Sequence, residues 1–558
     1  MHRLLLIVLL ALPLAAEETW KVSEVQSGMK GYGKSVFRGT EIERFNVEVI
    51  DVLRNFFPQQ NLILIRCSAH PVVEQANIIA GMSGSPIYLF PPGAQEGEKL
   101  AGALAYAWGF SKEPIAGVTP IEYMIGEMER PLEKSGRLPI PADSLVQPCG
   151  LPLVMSGCTP RAIAALGKAL DGTGLLPMEG GGGGATDGPE IKVEPGSALG
   201  VSLMTGDFDA TATGTVTWVD GDRVLAFGHS FFGAGEIPMP VSTCVIHTVM
   251  ASLGRSFKMS SPVKRVGVMV QDRANAVFAR TGLEGSMVPF EVRLSNSKTG
   301  RSQTYHGEVV RHPLLTGAML NSAVQSALEV FEESLEENSV VAETRIEIEG
   351  RTPVVSRTMW ANPVQVYSPY YLDKVLQVLT NRHETPTLKS VSLSLEIVHH
   401  PQRAEIESMR LVEDDLAPGQ EARLVVTLRP FRGERITMDV AVRIPDDEPD
   451  GDLLIQVAAG TGVPPDLAPV DDLDGLLERI AAERGATDLV TVMETSGLNL
   501  RWEGKVVRRL PNTLLAGWIP QIEGPAELAR ETLRLVTPTE WVLSGTAAAK
   551  IHVNRRNK

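Results

Sequence analysis

Gly81-Met82-Ser83-Gly84-Ser85-Pro86 stands between two apolar runs, Asn77-Ile78-Ile79-Ala80 and Ile87-Tyr88-Leu89-Phe90. A serine flanked by glycines on a tight turn between strands suits acyl transfer, because its hydroxyl and the neighbouring backbone N–H groups can converge on one carbonyl. Ser83 is the candidate nucleophile. A Gly-Ser-rich turn also serves simply to join two strands, so the chemistry requires a histidine to take the proton. The stretch from Thr213 to Ser230 offers one. Val216 and Trp218 alternate with polar residues, Asp220-Gly221-Asp222 turns the chain, Val224 to Phe227 returns, and Gly228 lets the backbone bend where His229 emerges. A histidine beside glycine is often a satisfied structural residue, and it is the pairing with the serine turn that makes His229 the candidate general base.

The two segments resemble those of the sporulation stage IV protein B serine peptidase family. The resemblance covers 77–125, where Gly81-Met82-Ser83-Gly84-Ser85-Pro86-Ile87 is followed by Gly102-Ala103-Leu104-Ala105 and Gly117-Val118-Thr119-Pro120-Ile121-Glu122-Tyr123-Met124, and it covers 214–229. It implies an endopeptidase related in fold to chymotrypsin-like enzymes, with Ser83 as nucleophile, His229 as general base and the amides of Gly81 and Ser83 as oxyanion donors. The chain departs from the family twice. In the sporulation members the histidine segment precedes the serine segment, whereas here Ser83 comes first; geometry and not chain order defines such a site. The family's acidic residue lies shortly upstream of the serine, where this chain reads Arg66-Cys67-Ser68-Ala69-His70, with no carboxylate. No peptide-binding PDZ module of those relatives is recognisable.

A triad needs a buried carboxylate accepting from the far ring nitrogen of the base. Asp272, after the strand-like run Val268-Met269-Val270-Gln271, is the first candidate. Asp207 and Asp209, in the turn Gly206-Asp207-Phe208-Asp209, are rivals, and Asp272 beside Arg273 also reads as a surface ion pair. A Ser-His dyad and an inactive relative stay open.

The elements that must position these residues belong to a chain of 558 residues, too long for one core. With 52 glycines, 38 prolines and few aromatics, short strands and turns are favoured over long helices, and the expected fold is mainly β. A formal charge of −15 argues against a nucleic-acid partner, whose binding rests on a basic surface. His2-Arg3, the apolar run Leu4–Leu14 and Ala15-Ala16 before Glu17-Glu18 read as a cleaved secretory signal, and no later segment approaches the roughly 20 apolar residues of a membrane span. The expected location is secreted or periplasmic. Cys67, Cys149, Cys158 and Cys244 allow three pairings; Cys149 and Cys158 could close a small loop, while Cys67 and Cys244 read equally well as buried thiols. No metal-site spacing occurs, and neither metal nor cofactor is expected.

Along the chain the sequence predicts a signal peptide over 1–16, a serine-bearing barrel over 17–130, and a connection over 131–190 with the linker Gly180–Gly184. A histidine-bearing β domain follows over 191–385. Leu320, Val324, Ala327, Leu328, Phe331 and Leu335 mark an amphipathic helix within it. Period-two runs at Val391–Ile397, Leu424–Leu428 and Ile436–Ile444 predict an immunoglobulin-like β-sandwich over 386–462. A small α+β unit over 463–558, with a helix near Asp471, closes the chain. The expectation is a serine endopeptidase built on two chymotrypsin-like β-barrels with the site in the cleft between them, acting on a protein or peptide. The alternative is a catalytically inactive envelope scaffold that binds a protein. An esterase is disfavoured, since no Gly-x-Ser-x-Gly elbow is evident.

Overall fold

Period-two alternation governs most of the chain. In Ile42–Phe57, for example, Phe45, Val47 and Val49 are buried while Arg44, Asn46 and Glu48 are exposed. The computed structural model describes residues 18–557 apart from 110, 132–145, 182–189, 234, 333–337, 362–371, 464–469, 503–504 and most of 508–525. The expected signal segment and most of the Gly-rich linker lie outside the described residues. The fold is mainly β, and the chain divides into two compact units, Met1–Met287 with Gly307–Arg311, and Val288–His306 with His312–Lys558.

The first unit holds two closed rings of six antiparallel strands. The first comprises β1 (Lys30–Val36), β2 (Ile42–Phe57), β3 (Gln60–Ser68), β4 (Pro86–Leu89), β5 (Lys99–Trp108) and β6 (Ile115–Pro120). They run in the order β4-β1-β2-β3-β6-β5, and β4 pairs β5 to close the ring. Its core gathers Phe45, Val47, Val49, Ile63, Ile65, Ile79, Met82, Ile87 and Leu104. The short helix α1 (Pro71–Ala76) leads to the serine turn, and α2 (Ile121–Met128) follows β6. Then come β7 (Val146–Pro148), β8 (Leu151–Ser156), α3 (Pro160–Ala169), capped by the Thr159 side chain, and β9 (Leu175–Glu179).

The second ring comprises β10 (Ala198–Gly206), β11 (Asp209–Asp220), β12 (Arg223–Ala226), β13 (Gly235–Met250), β14 (Phe257–Arg273) and β15 (Ala276–Thr281), ordered β10-β13-β14-β15-β12-β11 and closed by β10 on β11. Register shifts along β13 and β14 bend these long strands around the ring. Gly307–Val309 continues the sheet beside Met204–Gly206 of β10. The polar alternates of β11, which the sequence places toward solvent, are buried: Thr211, Thr213, Thr215 and Thr217 are all at most 1 % exposed. Both faces of this strand are covered, so alternation here separates two kinds of buried surface and not inside from outside.

The second unit begins with a sheet in which β16 (Met287–Asn296) lies parallel to β20 (Leu388–Val398), with β18 (Ser339–Ile348) and β19 (Val354–Trp360) following antiparallel; β17 (Ser302–Val310) runs on from β16 in sequence. Val391–Ile397, expected to open the sandwich, therefore belongs to this sheet. The helix α4 (Leu315–Phe331) is buried nearly all round, Ser322, Gln325 and Ser326 included, and is not the one-faced helix that the apolar spacing suggests.

The sandwich itself draws on β21 (Arg403–Leu411), β22 (Asp415–Leu416), β23 (Glu421–Pro430), β24 (Ile436–Arg443), β25 (Gly451–Ala459), β26 (Asp488–Trp502), β27 (Lys505–Val507), β28 (Ala526–Pro538), β29 (Val542–Ser544) and β30 (Thr546–Val553). One sheet runs β24-β23-β21-β29, the other β22-β30-β25-β26-β27 with β28 on β26. Leu424, Val426 and Leu428 share one core with Ile455, Val457, Leu489 and Ile551. The C-terminal residues, read from sequence as a separate small unit, thus complete both sheets. The helix Leu473–Ala481 forms as predicted, its N-terminus capped by Asp472 accepting from the Gly475 amide at 2.8 Å.

Candidate active site

The serine turn is held from the second ring by the threonine face of β11. The Thr215 and Thr217 hydroxyls donate to the carbonyls of Gly81 and Gly84 at 2.9 and 2.8 Å, and the Thr215 amide donates to the Ser83 carbonyl at 2.8 Å. Approach is so close that a Cβ on Gly84 would stand 2.0 Å from the Thr215 carbonyl oxygen, and Gly84 has φ +94, so only glycine fits. Within the turn the Ser85 amide donates to the Met82 carbonyl at 2.8 Å. These threonines were legible in the sequence only as a period-two pattern; their partners lie more than a hundred residues away.

The β11–β12 hairpin delivers His229 as the sequence predicts. Its exit is strained: Phe227, fully buried, sits at φ +71, a conformation a bulky side chain rarely adopts. The Thr119 hydroxyl donates to the Gly228 carbonyl at 2.6 Å, and the Tyr106 ring lies 6.5 Å from the imidazole. In this setting His229 Nε2 meets Ser83 Oγ in a very short hydrogen bond. His229 Nδ1 lies 2.7 Å from the Ser230 carbonyl, which only accepts, so Nδ1 carries the proton and Nε2 presents its lone pair to the serine hydroxyl. Ser83 Oγ also lies 3.0 Å from the Phe227 carbonyl, giving its single proton two acceptors.

Asp272 does not take the position of the triad acid. Its two carboxylate oxygens accept from the amides of Phe231 and Phe232, both at 2.6 Å, while Nδ1 of His229 uses the Ser230 carbonyl. The carboxylate shapes the loop that follows the histidine. Of the rivals, Asp209 is buried beside Thr211, whose hydroxyl donates to it at 3.0 Å; burial pushes its carboxyl up to about 7, against the pull of Thr211 and Arg265. Asp209 Oδ1 accepts from Thr211 of β11, whose hydroxyl also lies 3.4 Å from Ser202 Oγ of β10, and Oδ2 has no hydrogen-bond partner among the described residues. Asp207 lies in the exposed turn before it.

One of the two expected oxyanion donors, the Gly81 amide, is engaged elsewhere. The Gly81 amide donates to the Gly150 carbonyl at 3.1 Å, and the Met82 amide donates to the Ile79 carbonyl at 2.9 Å. The segment from β7 to β8 thus lies on the donor face of the serine turn as a strap. Its own anchors are Cys149 N on the Ala105 carbonyl at 2.7 Å and Cys149 Sγ on the Ile79 carbonyl at 3.2 Å. Ser83 is 0 % and His229 3 % exposed, so the pair is closed to solvent. Burial pushes His229 down to about 4, opposed by its bond to Ser230, and the imidazole is neutral at pH 7.

All four cysteines are free thiols, Cys149 and Cys158 included, so the small loop that the sequence allows is not closed by a disulfide. Burial pushes the Cys149 and Cys244 thiols up to about 12. Among the described residues no group of His, Cys, Asp and Glu side chains could hold a metal ion, and no helix is long and apolar enough to cross a membrane. Comparison of the chain with models of known protein families and with curated proteins finds no match.

Proposed function

We propose that this chain is a serine endopeptidase acting outside the cytoplasm on polypeptide substrates, built like the stage IV protein B peptidases with the serine and histidine segments exchanged in order. One observation carries the reading: Ser83 Oγ is hydrogen-bonded to His229 Nε2, with the opposite ring nitrogen fixed as a donor to the Ser230 carbonyl. In the reaction the Ser83 oxygen attacks the peptide carbonyl as its proton passes to Nε2 of His229. The protonated imidazole returns that proton to the leaving amine as the C–N bond breaks, and water then releases the acyl group by the same route. The carbonyl of Ser230 takes the place that a carboxylate fills in a triad. It orients the ring without neutralising the imidazolium, so the base is weaker than in a full triad.

The strap defines a closed form. Each oxyanion donor is worth about 3 kcal/mol of transition-state stabilisation, and turnover requires the Gly81 amide to exchange the Gly150 carbonyl for the substrate oxygen. The same occupied Gly81 amide favours a second reading, a protein-binding scaffold that has kept the fold without turnover. Mass-spectrometric labelling with a fluorophosphonate separates the two. The peptidase reading expects modification of Ser83 in the wild type, abolished in Ser83→Ala and lowered by several orders of magnitude in His229→Ala. A folded protein that stays unlabelled with the strap loosened sinks that reading and leaves the scaffold.

A further inference from the structure

Lys258, at the start of β14, is a fully buried lysine that no step above uses. It grips the serine turn at both ends. At the near end its backbone amide donates to the Ala80 carbonyl at 3.0 Å, and its methylenes lie under Gly81, 3.1 to 3.3 Å from where a Cβ would stand. At the far end its amine donates to Ser35 Oγ at 2.8 Å, and the Ser85 hydroxyl donates to the same oxygen at 3.0 Å. Ser35 and Ser85 are fully buried as well. Both lone pairs of the Ser35 oxygen are thereby filled, and Ser85 is tied at its hydroxyl, its amide and its carbonyl, the last accepting from Leu104 at 2.9 Å. Ser83 stands between the two grips.

Core filling does not account for a lysine here. Among the described residues its amine meets no carboxylate, and the Phe37 ring lies 5.7 Å away. Burial pushes the amine down to about 7. An apolar side chain of similar volume would cost the fold less, since a buried unpaired cationic group is destabilising. What an apolar replacement would remove is the directional link through Ser35 to Ser85.

We infer that Lys258 is a positioning residue for the nucleophile, its amine fixing the turn through Ser35 and Ser85 so that Ser83 stays within reach of His229. The inference rests on the peptidase reading for its catalytic consequence and on the hydrogen-bond chain alone for its structural one. The test uses the full chain and two readouts. In Lys258→Met the thermal midpoint is expected to hold or rise, while the amides of Gly84 and Ser85 exchange with deuterium about tenfold faster. The first-order step of fluorophosphonate labelling is expected to fall roughly tenfold to a hundredfold, with the reagent's binding constant unchanged. Ser35→Ala should reproduce this loss, and Lys258→Met with Ser35→Ala should be no worse than either alone. Unchanged exchange in Lys258→Met overturns the inference, as does labelling that falls only in step with stability or adds across the pair. A wild type that never labels counts against the peptidase reading instead, and the exchange result then decides the role of Lys258 by itself.

Discussion

Both carboxylate oxygens of Asp272 accept from loop amides at 2.6 Å, and that geometry sets what a substitution does. Asp272→Asn replaces one acceptor with a donor facing a backbone N–H, leaving a buried donor unsatisfied at a cost of about 1–3 kcal/mol. The expected result is a lower urea midpoint with labelling of Ser83 reduced far less than the roughly 10⁴-fold that loss of a triad carboxylate brings. At Asp209 the carboxyl is raised from 3.8 to about 7 in the folded state, so the unfolded chain releases its proton first. The stability it contributes is fully present below pH 3.8 and is lost as pH rises through 7. Asp209→Asn, which keeps the shape of the protonated acid, should match the wild type in urea midpoint near pH 3.5 and exceed it at pH 8. Equal midpoints at both values would show that Asp209 titrates normally.

The strap and the threonine face of β11 act on the serine turn from opposite sides, and loosening each has a different consequence. Thr215→Val keeps the shape and removes the hydroxyl bond to the Gly81 carbonyl, leaving a buried acceptor with one partner fewer, and is expected to cost about 1 kcal/mol. Labelling of Ser83 should fall with it. Gly150 sits at φ +85, where an alanine is strained by about 1–2 kcal/mol, and its Cβ would stand 3.0 Å from Leu176 Cδ1. Gly150→Ala therefore weakens the strap, and a faster labelling rate at reduced stability is the expected outcome. A rate unchanged or slowed would mean that the strap is part of the working site and not a cover on it.

At the scale of the molecule, the first unit is not closed at Met287, because Gly307–Arg311 belongs to it. Gly307–Val309 pairs with the end of β10, and Glu308 meets Arg265 at 2.6 Å. A chain ended after Arg311 keeps these contacts, whereas one ended after Met287 exposes the β10 edge and leaves Arg265 without its carboxylate. The longer chain should show the higher thermal midpoint and the shorter one a tendency to aggregate. Every residue named above around Ser83 and His229 belongs to the first unit, so the Arg311 chain is expected to label at the full-length rate once folded.

The sequence by itself determined what depends on neighbours along the chain. A serine between glycines, a hairpin ending in Gly228-His229, a helix near Asp471 and the alternation of Phe45, Val47 and Val49 are local patterns, and each gives the expected local structure. Tertiary structure decided everything that rests on a partner distant in sequence. Whether Asp272 meets an imidazole or two amides, whether the Gly81 amide is open or held by Gly150, and whether Thr215 faces water or a carbonyl are questions of which strands lie side by side. Pairing of Val391–Ile397 with β16 and completion of the sandwich by Thr546–Val553 belong to the same class. A hydrogen bond is specific to a few tenths of an ångström and a few tens of degrees, while a sequence pattern fixes only which face a side chain occupies. Closure of the rings is what sets those distances, and so the donors, acceptors and buried charges of the site appear only once the chain has folded.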